Sequence, residues 1–289
     1  MTLRPASNLA CPMDDLPLDV SGSAWRCARG HSFDVAQEGY CNLLLVQQKA
    51  SRDPGDSKAM VAARHRFLEA GHFAPIADRL YFQALGALAE HQGASPCVLD
   101  AGCGEGYYLA RFADLAEKHG QPPDIALAGM DVSKWAVKAA AKRGLAATFV
   151  VGSNKHPPFL PGSVDLILSV FGFPHWEGFA RVLAGGGHVL LADPGPEHLA
   201  QLREVIYPTV RASPPPSLDA AGKAGFALAA EETLLFSIDL EGQQAIQDLL
   251  LMTPHGARVP QERRGAIAAL ERLTVTIDVT FRLVAKRAA

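Results

Sequence analysis

One ten-residue segment restricts this chain more than any other: Val98-Leu99-Asp100-Ala101-Gly102-Cys103-Gly104-Glu105-Gly106-Tyr107. A short apolar run enters three alternating glycines and leaves as a helical pattern. From Tyr107 to His119 the apolar residues Leu109, Phe112, Ala113 and Ala116 recur at helical spacing. Glycines in such a turn permit the sharp bend and let the backbone approach a ligand closely. The same alternation continues downstream. Cys97–Ala101, Ile125–Met130, Thr148–Val151, Val164–Val170 and His188–Ala192 are short, mostly apolar runs, the texture of strands buried on both faces. Lys134 to Arg143 reads as a second helix. Strands and helices at this pitch predict a mostly parallel, doubly wound α/β sheet. Ser213-Pro214-Pro215-Pro216 must be a loop, because consecutive prolines cannot sit inside a helix. Leu234–Leu240 and Val275–Val284 read as strands that close the sheet as an antiparallel pair. In the second, Thr276, Asp278, Thr280 and Arg282 alternate with apolar neighbours.

The glycine spacing is G-x-G-x-G, not the G-x-G-x-x-G of dinucleotide sites. Glu105 lies inside the loop and Asp100 ends the strand. Such carboxylates would repel a pyrophosphate but suit a cofactor that carries a sulfonium and an ammonium. Asp131, in Gly129-Met130-Asp131, ends the second strand, where an acidic residue accepts hydrogen bonds from ribose hydroxyls. These features favour S-adenosylmethionine over NAD. The loop resembles motif I of class I methyltransferases, and Asp131 their acidic second motif. That resemblance implies a Rossmann-like, mostly parallel seven-stranded sheet. Gly152-Ser153-Asn154 follows the third strand, where such enzymes commonly hold the adenine. The cofactor candidates read here are Asp100, Gly102, Gly104, Glu105, Gly106, Asp131, Ser153 and Asn154.

The N-terminus has a different texture, polar and turn-rich. Cys11-Pro12-Met13-Asp14 is followed, twelve residues later, by Cys27-Ala28-Arg29-Gly30-His31. Two tight pairs separated by a loop is zinc-ribbon spacing, since each short turn presents two ligands to one ion. Cys11, Asp14, Cys27 and His31 are therefore candidate metal ligands. Asp14 stands where a second thiolate is expected, and an oxygen ligand makes a harder, weaker zinc site. The alternatives are a metal-free knuckle held by packing and a substitute thiolate from Cys41.

Composition narrows the rest. With 48% hydrophobic and 20% charged residues the 289-residue chain is of the soluble globular class, long enough for about two domains. No stretch approaches the ~18 apolar residues of a membrane span, and the N-terminus lacks a secretory h-region. Five cysteines, an odd number for a disulfide framework, fit a reducing cytoplasm. Twenty-seven Lys+Arg against 30 Asp+Glu give a net charge of −3, which argues against a bulk coat on nucleic acid. It leaves room for a local basic stripe. Residues 47 to 68 hold Lys49, Arg52, Lys58, Arg64 and Arg66 against two aspartates, a candidate RNA-facing segment.

Several longer runs are more specific: Gly30-His31-Ser32-Phe33-Asp34, Ser51-Arg52-Asp53-Pro54-Gly55-Asp56, Gly71-His72-Phe73 and Pro194-Gly195-Pro196-Glu197-His198-Leu199. With the glycine loop they make residues 11 to about 200 resemble the bacterial 23S rRNA (guanine-N1)-methyltransferases, which modify a guanine in the loop of hairpin 35. The resemblance implies a small zinc-binding RNA-recognition domain at 1–45, a connecting segment at 46–90 and a methyltransferase domain at 91–289. It also implies a homodimer around an RNA cleft. It carries cofactor contacts to Phe73, Gly104, Glu105 and His198, and metal ligands to Cys11, Cys27 and His31, with the fourth falling on Asp14.

Methyl transfer from a sulfonium needs alignment more than covalent help. The guanine N1 carries a proton, so a base would assist. Candidates are His175, in Phe171-Gly172-Phe173-Pro174-His175 after the fourth strand, and Asp193. The same aromatics could stack a splayed base. Two rival readings stand beside this one. A small-molecule methyltransferase would act on metabolites without RNA. A catalytically silent RNA-binding relative would bind a hairpin but not the cofactor.

Overall fold

Apolar runs that alternate with amphipathic helices have to bury both faces of a sheet, and the chain does so by winding helices to either side. The computed structural model describes residues 3–49, 51, 53–89, 95–119, 124–209, 214–256 and 259–287. Among them the N-terminal stretch supplies short strands β1 (Leu3–Pro5), β2 (Leu18–Asp19), β3 (Ala24–Cys27), β4 (Ser32–Asp34) and β5 (Tyr40–Asn42). Helices α1 (Lys58–Glu69) and α2 (Ala74–Leu88) follow. The alternating part runs β6 (Cys97–Ala101), α3 (Tyr107–His119), β7 (Ile125–Asp131), α4 (Lys134–Ala141), β8 (Thr148–Val151), β9 (Val164–Val170), α5 (Trp176–Val182) and β10 (Leu183–Pro194). Then come α6 (Ala200–Ile206), α7 (Asp219–Lys223), β11 (Phe226–Glu241), α8 (Gln243–Met252), α9 (Gln261–Ala268) and β12 (Arg272–Lys286).

The main sheet has the order β11-β12-β10-β9-β6-β7-β8-β5. Strands β10, β9, β6, β7 and β8 are parallel, and β12 runs antiparallel to both β10 and β11. These seven strands are the ones the sequence pattern predicts. Two more join from the N-terminal stretch, making nine among the described residues. Strand β5 lies parallel outside β8, and β1 pairs with the first half of β7, Leu3–Pro5 opposite Ile125–Leu127. Pieces of three residues carry no periodic signal, so only the structure reveals them. Strands β2, β3 and β4 form a separate small antiparallel sheet.

Side chains alternate across the central strands, and each face has its own core. Val98, Leu166, Leu168, Leu190 and Ala192 pack with Leu80 of α2 and Phe112 of α3. Leu99, Ala101, Ile167, Val189 and Leu191 pack with Trp176 and Phe179 of α5 and with Leu9, Cys11, Trp25 and Cys27 of the N-terminal stretch. Helix α4 stops at Ala141, two residues short of the expected end, just before Gly144 at φ +69°. Strand β10 begins at Leu183, with a register shift before His188. Of the expected proline loop, 214–216 has neither helix nor strand, and Ser213 lies outside the described residues.

The polar residues that alternate along β12 do not face water. Asp278, Thr280 and Arg282 are buried. The Asp278 carbonyl accepts the Gly195 N–H (2.8 Å), and a carboxylate oxygen accepts the Glu197 N–H (2.9 Å). Arg282 donates to Asp193 and to the Pro216 carbonyl (2.6 Å). Strand β12 is thus the bench on which the Pro194–Leu199 turn is fixed.

A buried ion pair losing one partner leaves an uncompensated charge. Asp193→Ala should therefore destabilise the protein by about 3–5 kcal/mol in urea unfolding. The double change Asp193→Leu with Arg282→Met should recover most of that loss.

Candidate functional site: a cofactor cleft and a four-donor cluster

The cleft forms where β6, β7 and β9 end, the usual place for a ligand in an open α/β sheet. Asp100 is 1% exposed at the end of β6, and neither of its carboxylate oxygens has a hydrogen-bond partner. The buried Ser169 hydroxyl on β9 is likewise unpartnered. Burial, reinforced by the neighbouring charge of Asp131, pushes the Asp100 carboxyl up to about 7. Leaving such polar atoms dry is costly. An ammonium or hydroxyl donor delivered by a ligand would satisfy them, so the floor of the cleft fits a cationic, hydroxyl-bearing cofactor.

The glycine loop is held by Asp131. One of its carboxylate oxygens accepts the Gly104 N–H (3.0 Å) and the other the Ser133 N–H (2.8 Å). Burial also raises the Asp131 carboxyl, against the pull of those two bonds. A carboxylate offers about four lone-pair positions, so capacity remains for ribose hydroxyls. Gly102, Gly104 and Gly106 have φ of +97°, +54° and +82°, values side chains disfavour. Gly106 is also tight: a Cβ there would come within 3.0 Å of the Ala140 Cβ.

Glu105 is directed at His65 and Arg143. It is 2% exposed, and its Oε2 contacts His65 Nδ1 (3.0 Å) and the guanidinium of Arg143. Arg143 Nη2 also reaches Glu69 of α1 (2.8 Å). Glu105 therefore ties the glycine loop to α1 and to the end of α4. Its Oε1 lacks a partner.

An aromatic wall closes the cleft. Phe73 begins α2 and is 2% exposed. Its ring centroid lies 6.0 Å from Phe171 and 6.4 Å from His198, with Phe171 and His198 5.3 Å apart. Phe171 sits at φ +50° directly after β9. The following Gly172 approaches the Ala101 carbonyl, so the wall abuts the glycine loop. His198 Nδ1 meets the Asp278 carbonyl at 3.0 Å, and burial lowers its pKa to about 4. At neutral pH this ring is uncharged and adds no positive charge beside a cationic ligand. Ser153 and Asn154 lie after β8, with Ser153 Oγ accepting the Lys155 N–H (3.2 Å) and Asn154 Nδ2 donating to the Phe173 carbonyl (3.0 Å).

The expected proton acceptors differ in fate. His175 Nδ1 accepts the Gly178 N–H (3.2 Å) and caps α5, with the side chain 38% exposed. Asp193 is locked in the buried pair with Arg282, a tie between β10 and β12 that leaves it unsuited to receive a proton from a substrate.

Two of the five cations in the basic stripe are paired with acids. Arg66 makes two bonds to Asp248 of α8 (2.9 and 2.5 Å). Arg64 pairs with Asp56 and donates to the Met252 carbonyl (2.9 Å). Neither guanidinium is a free phosphate contact; Asp56 is already in the local charge count, whereas Asp248, 182 residues from Arg66, is invisible to it. Lys58 is exposed 6.0 Å from the Trp135 ring centroid, Lys49 is half-buried, and Arg52 lies outside the described residues.

The ribbon brings its four expected ligands together. The donor atoms of Cys11, Asp14, Cys27 and His31 all lie within 4.8 Å of one another. Cys11 and Cys27 Sγ are each 3.4 Å from His31 Nδ1, Cys27 Sγ is 3.4 Å from Asp14 Oδ2, and that oxygen is 3.1 Å from His31 Nδ1. Donors placed tetrahedrally at about 2.0–2.3 Å from zinc stand about 3.3–3.8 Å apart, so the set fits that ion. Two tight turns build it: Asp15 N–H bonds to the Cys11 carbonyl and Gly30 N–H to the Cys27 carbonyl, both at 2.9 Å. Cys41 is not part of the cluster. Its thiol faces the Phe33 and Asp34 carbonyls, and burial pushes its pKa up to about 12.

Comparison with known proteins follows this geometry. A zinc-ribbon family model described as "RlmA, N-terminal" matches residues 9–52, and one described as "Methyltransferase domain" matches residues 98–191. A 23S rRNA (guanine(748)-N(1))-methyltransferase of Streptomyces fradiae is 37% identical over 199 residues, covering 68% of this chain and 67% of its own. A Bacillus subtilis protein, YxjB, provisionally named a 23S rRNA (guanine-N(1)-)-methyltransferase, is 30% identical over 280 residues, 94% of this chain and 95% of its own. Among solved structures, the YcgJ protein of Bacillus subtilis aligns with a TM-score of 0.47 at 18% identity, covering 71% of this chain and 98% of that one.

Two measurements test the site. Asp100 is raised from 3.8 to about 7 in the free protein. A raised acid contributes stability below about pH 4 and loses it as pH climbs through 7. A cationic ligand needs the ionised form, so S-adenosylmethionine affinity should fall as pH drops below 7, with proton release on binding. Calorimetry in buffers of different ionisation enthalpy should show this, and Asp100→Asn should abolish the pH dependence in that window. For the ribbon, elemental analysis should find one zinc per chain, and Asp14→Cys should retain it against more chelator than the parent protein does.

Proposed function

This chain belongs to the 23S rRNA (guanine-N1)-methyltransferase family, and from that premise we propose that it methylates N1 of a guanine in a 23S rRNA hairpin loop. S-adenosylmethionine is the methyl donor. The observation that carries the reading is the pairing, on one chain, of two features. One is a cleft floored by unpartnered carboxylate oxygens; the other is a four-donor ribbon. A metabolite methyltransferase has no use for the ribbon, and a silent RNA-binding relative has no use for a preformed acidic cleft.

When bound, the cofactor supplies an electrophilic methyl. The chain supplies position. Asp100 and Asp131 would hold the cofactor's cationic and hydroxyl groups, while Phe73, Phe171 and the neutral His198 would wall it. Excluding water there strengthens these interactions, and alignment provides most of the acceleration. Phe173, 85% exposed beyond the wall, offers a face on which a splayed guanine can stack. Of the two expected proton acceptors, His175 keeps that role. Its partly exposed ring caps α5 in the segment that follows β9.

Residues 1–45 serve as the RNA-recognising ribbon, 46–90 as the connecting segment and 91–289 as the methyltransferase domain, acting as a homodimer in the cytoplasm. Supporting a reducing compartment, all five cysteines are buried free thiols. No helix among the described residues is long and apolar enough to cross a membrane.

Mass mapping of 23S rRNA from a strain lacking the gene tests the proposal. The hairpin should lose its N1-methylguanosine and regain it when the gene is restored. Full methylation in the deletion strain would sink the reading.

A further inference from the structure

The basic stretch before β6 contains a guanidinium whose surroundings do not match an RNA contact. Arg64 projects from α1 with only 24% of its side chain exposed. A Cβ built on Gly104 would stand 3.6 Å from Arg64 Nη1 and 3.8 Å from its Cδ, so the side chain lies across the glycine loop. We propose that Arg64 binds the carboxylate of the cofactor's amino-acid end. This rests on the reading of the cleft as an S-adenosylmethionine site.

Charge matching carries the argument. The cofactor brings a sulfonium, an ammonium and a carboxylate into a cleft lined by Asp100 and Asp131. Those two aspartates suit the cationic and hydroxyl groups and repel the carboxylate, which needs a cation of its own. Among the described residues two guanidiniums adjoin the loop. Arg143 faces two carboxylates, Glu105 and Glu69, and its Nε also donates to the Glu105 carbonyl (2.7 Å), so its charge is already balanced. Arg64 has five N–H groups, of which Nη1 serves Asp56 and Nη2 the Met252 carbonyl. The remaining donors of a planar fork match a carboxylate.

The adjoining segment aims this group. Asp56 holds Arg64 through its carboxylate, and its carbonyl accepts the Ser133 hydroxyl (2.7 Å), two residues from Asp131. Gly55, at φ +79°, lets the chain press against Ser133, where a Cβ would come within 2.9 Å of the Ser133 Cβ. The Asp53–Asp56 portion of the run that reads as RNA-facing is thus moulded onto the cofactor site.

Calorimetric titration of the full chain separates the possibilities. The ligands are S-adenosylmethionine and its decarboxylated analogue, which keeps the sulfonium and an ammonium but lacks the carboxylate. Arg64→Met should weaken S-adenosylmethionine by about 10- to 100-fold and leave the analogue unchanged, which also shows that the variant is folded. Arg64→Lys should fall between, and affinity for a transcript of the 23S hairpin should not move. An equal loss for both ligands would make Arg64 a structural strut. Loss of RNA affinity alone would make it a phosphate contact. Either outcome overturns the proposal. If the parent protein bound neither ligand, the cofactor reading itself would be at fault.

Discussion

The carboxylate of Asp131 is the point on which the site depends. It ends β7 and satisfies two backbone donors at once, Gly104 in the glycine loop and Ser133 at the cap of α4. Ser133 in turn gives its hydroxyl hydrogen to the Asp56 carbonyl and accepts the Ala136 N–H. One side chain therefore sets the loop, the start of a helix and the segment that crosses the cleft. The cost is electrostatic. Burial raises both Asp100 and Asp131, and the charge of Asp131 raises Asp100 further. A buried Asp100 beside the charge of Asp131 biases the cleft towards a cation, which is the charge of a sulfonium and an ammonium.

This logic explains what could be read from the sequence. Buried parallel strands are continuous apolar runs, so Cys97–Ala101 and Val164–Val170 stand out and match β6 and β9. The alternating glycines need no partner to be recognised, because their positive φ angles are a local demand. The ribbon ligands are legible for the same reason, since each pair sits in one tight turn. Long-range partners are not. Arg66 looks like part of a basic stripe until Asp248 arrives from α8, and Asp193 looks free until β12 brings Arg282 beside it. Phe171 and Arg143 are visible as parts of local motifs, but their partners are not: one is placed by a strained turn, the other by Glu105.

The resemblance of short motifs succeeded where periodicity failed because motifs record tertiary demands. Pro194–Leu199 is an example. A Cβ on Gly195 would fall 2.3 Å from the Asp278 carboxylate, and the Glu197 N–H needs that same carboxylate. The turn therefore admits little besides glycine, and its course delivers the His198 ring to Phe73 and Phe171. The motif is a description of how β12 and the cleft fit together.

The ribbon is joined to the sheet by more than a tether. Cys11, Cys27 and Trp25 share one hydrophobic core with Leu99 and Ala101 of β6 and with Trp176 and Phe179 of α5. Cys11 N–H also bonds to the Leu16 carbonyl, and Ala10 N–H to the Pro158 carbonyl beyond β8. Because interiors are packed densely, a shift of the four-donor cluster cannot be absorbed within the ribbon alone. It is transmitted to β6, whose next residues are the glycine loop. The four-donor cluster at one end of this core and the cofactor cleft at the other therefore belong to a single packed unit, and the ribbon helps to hold β6 in place.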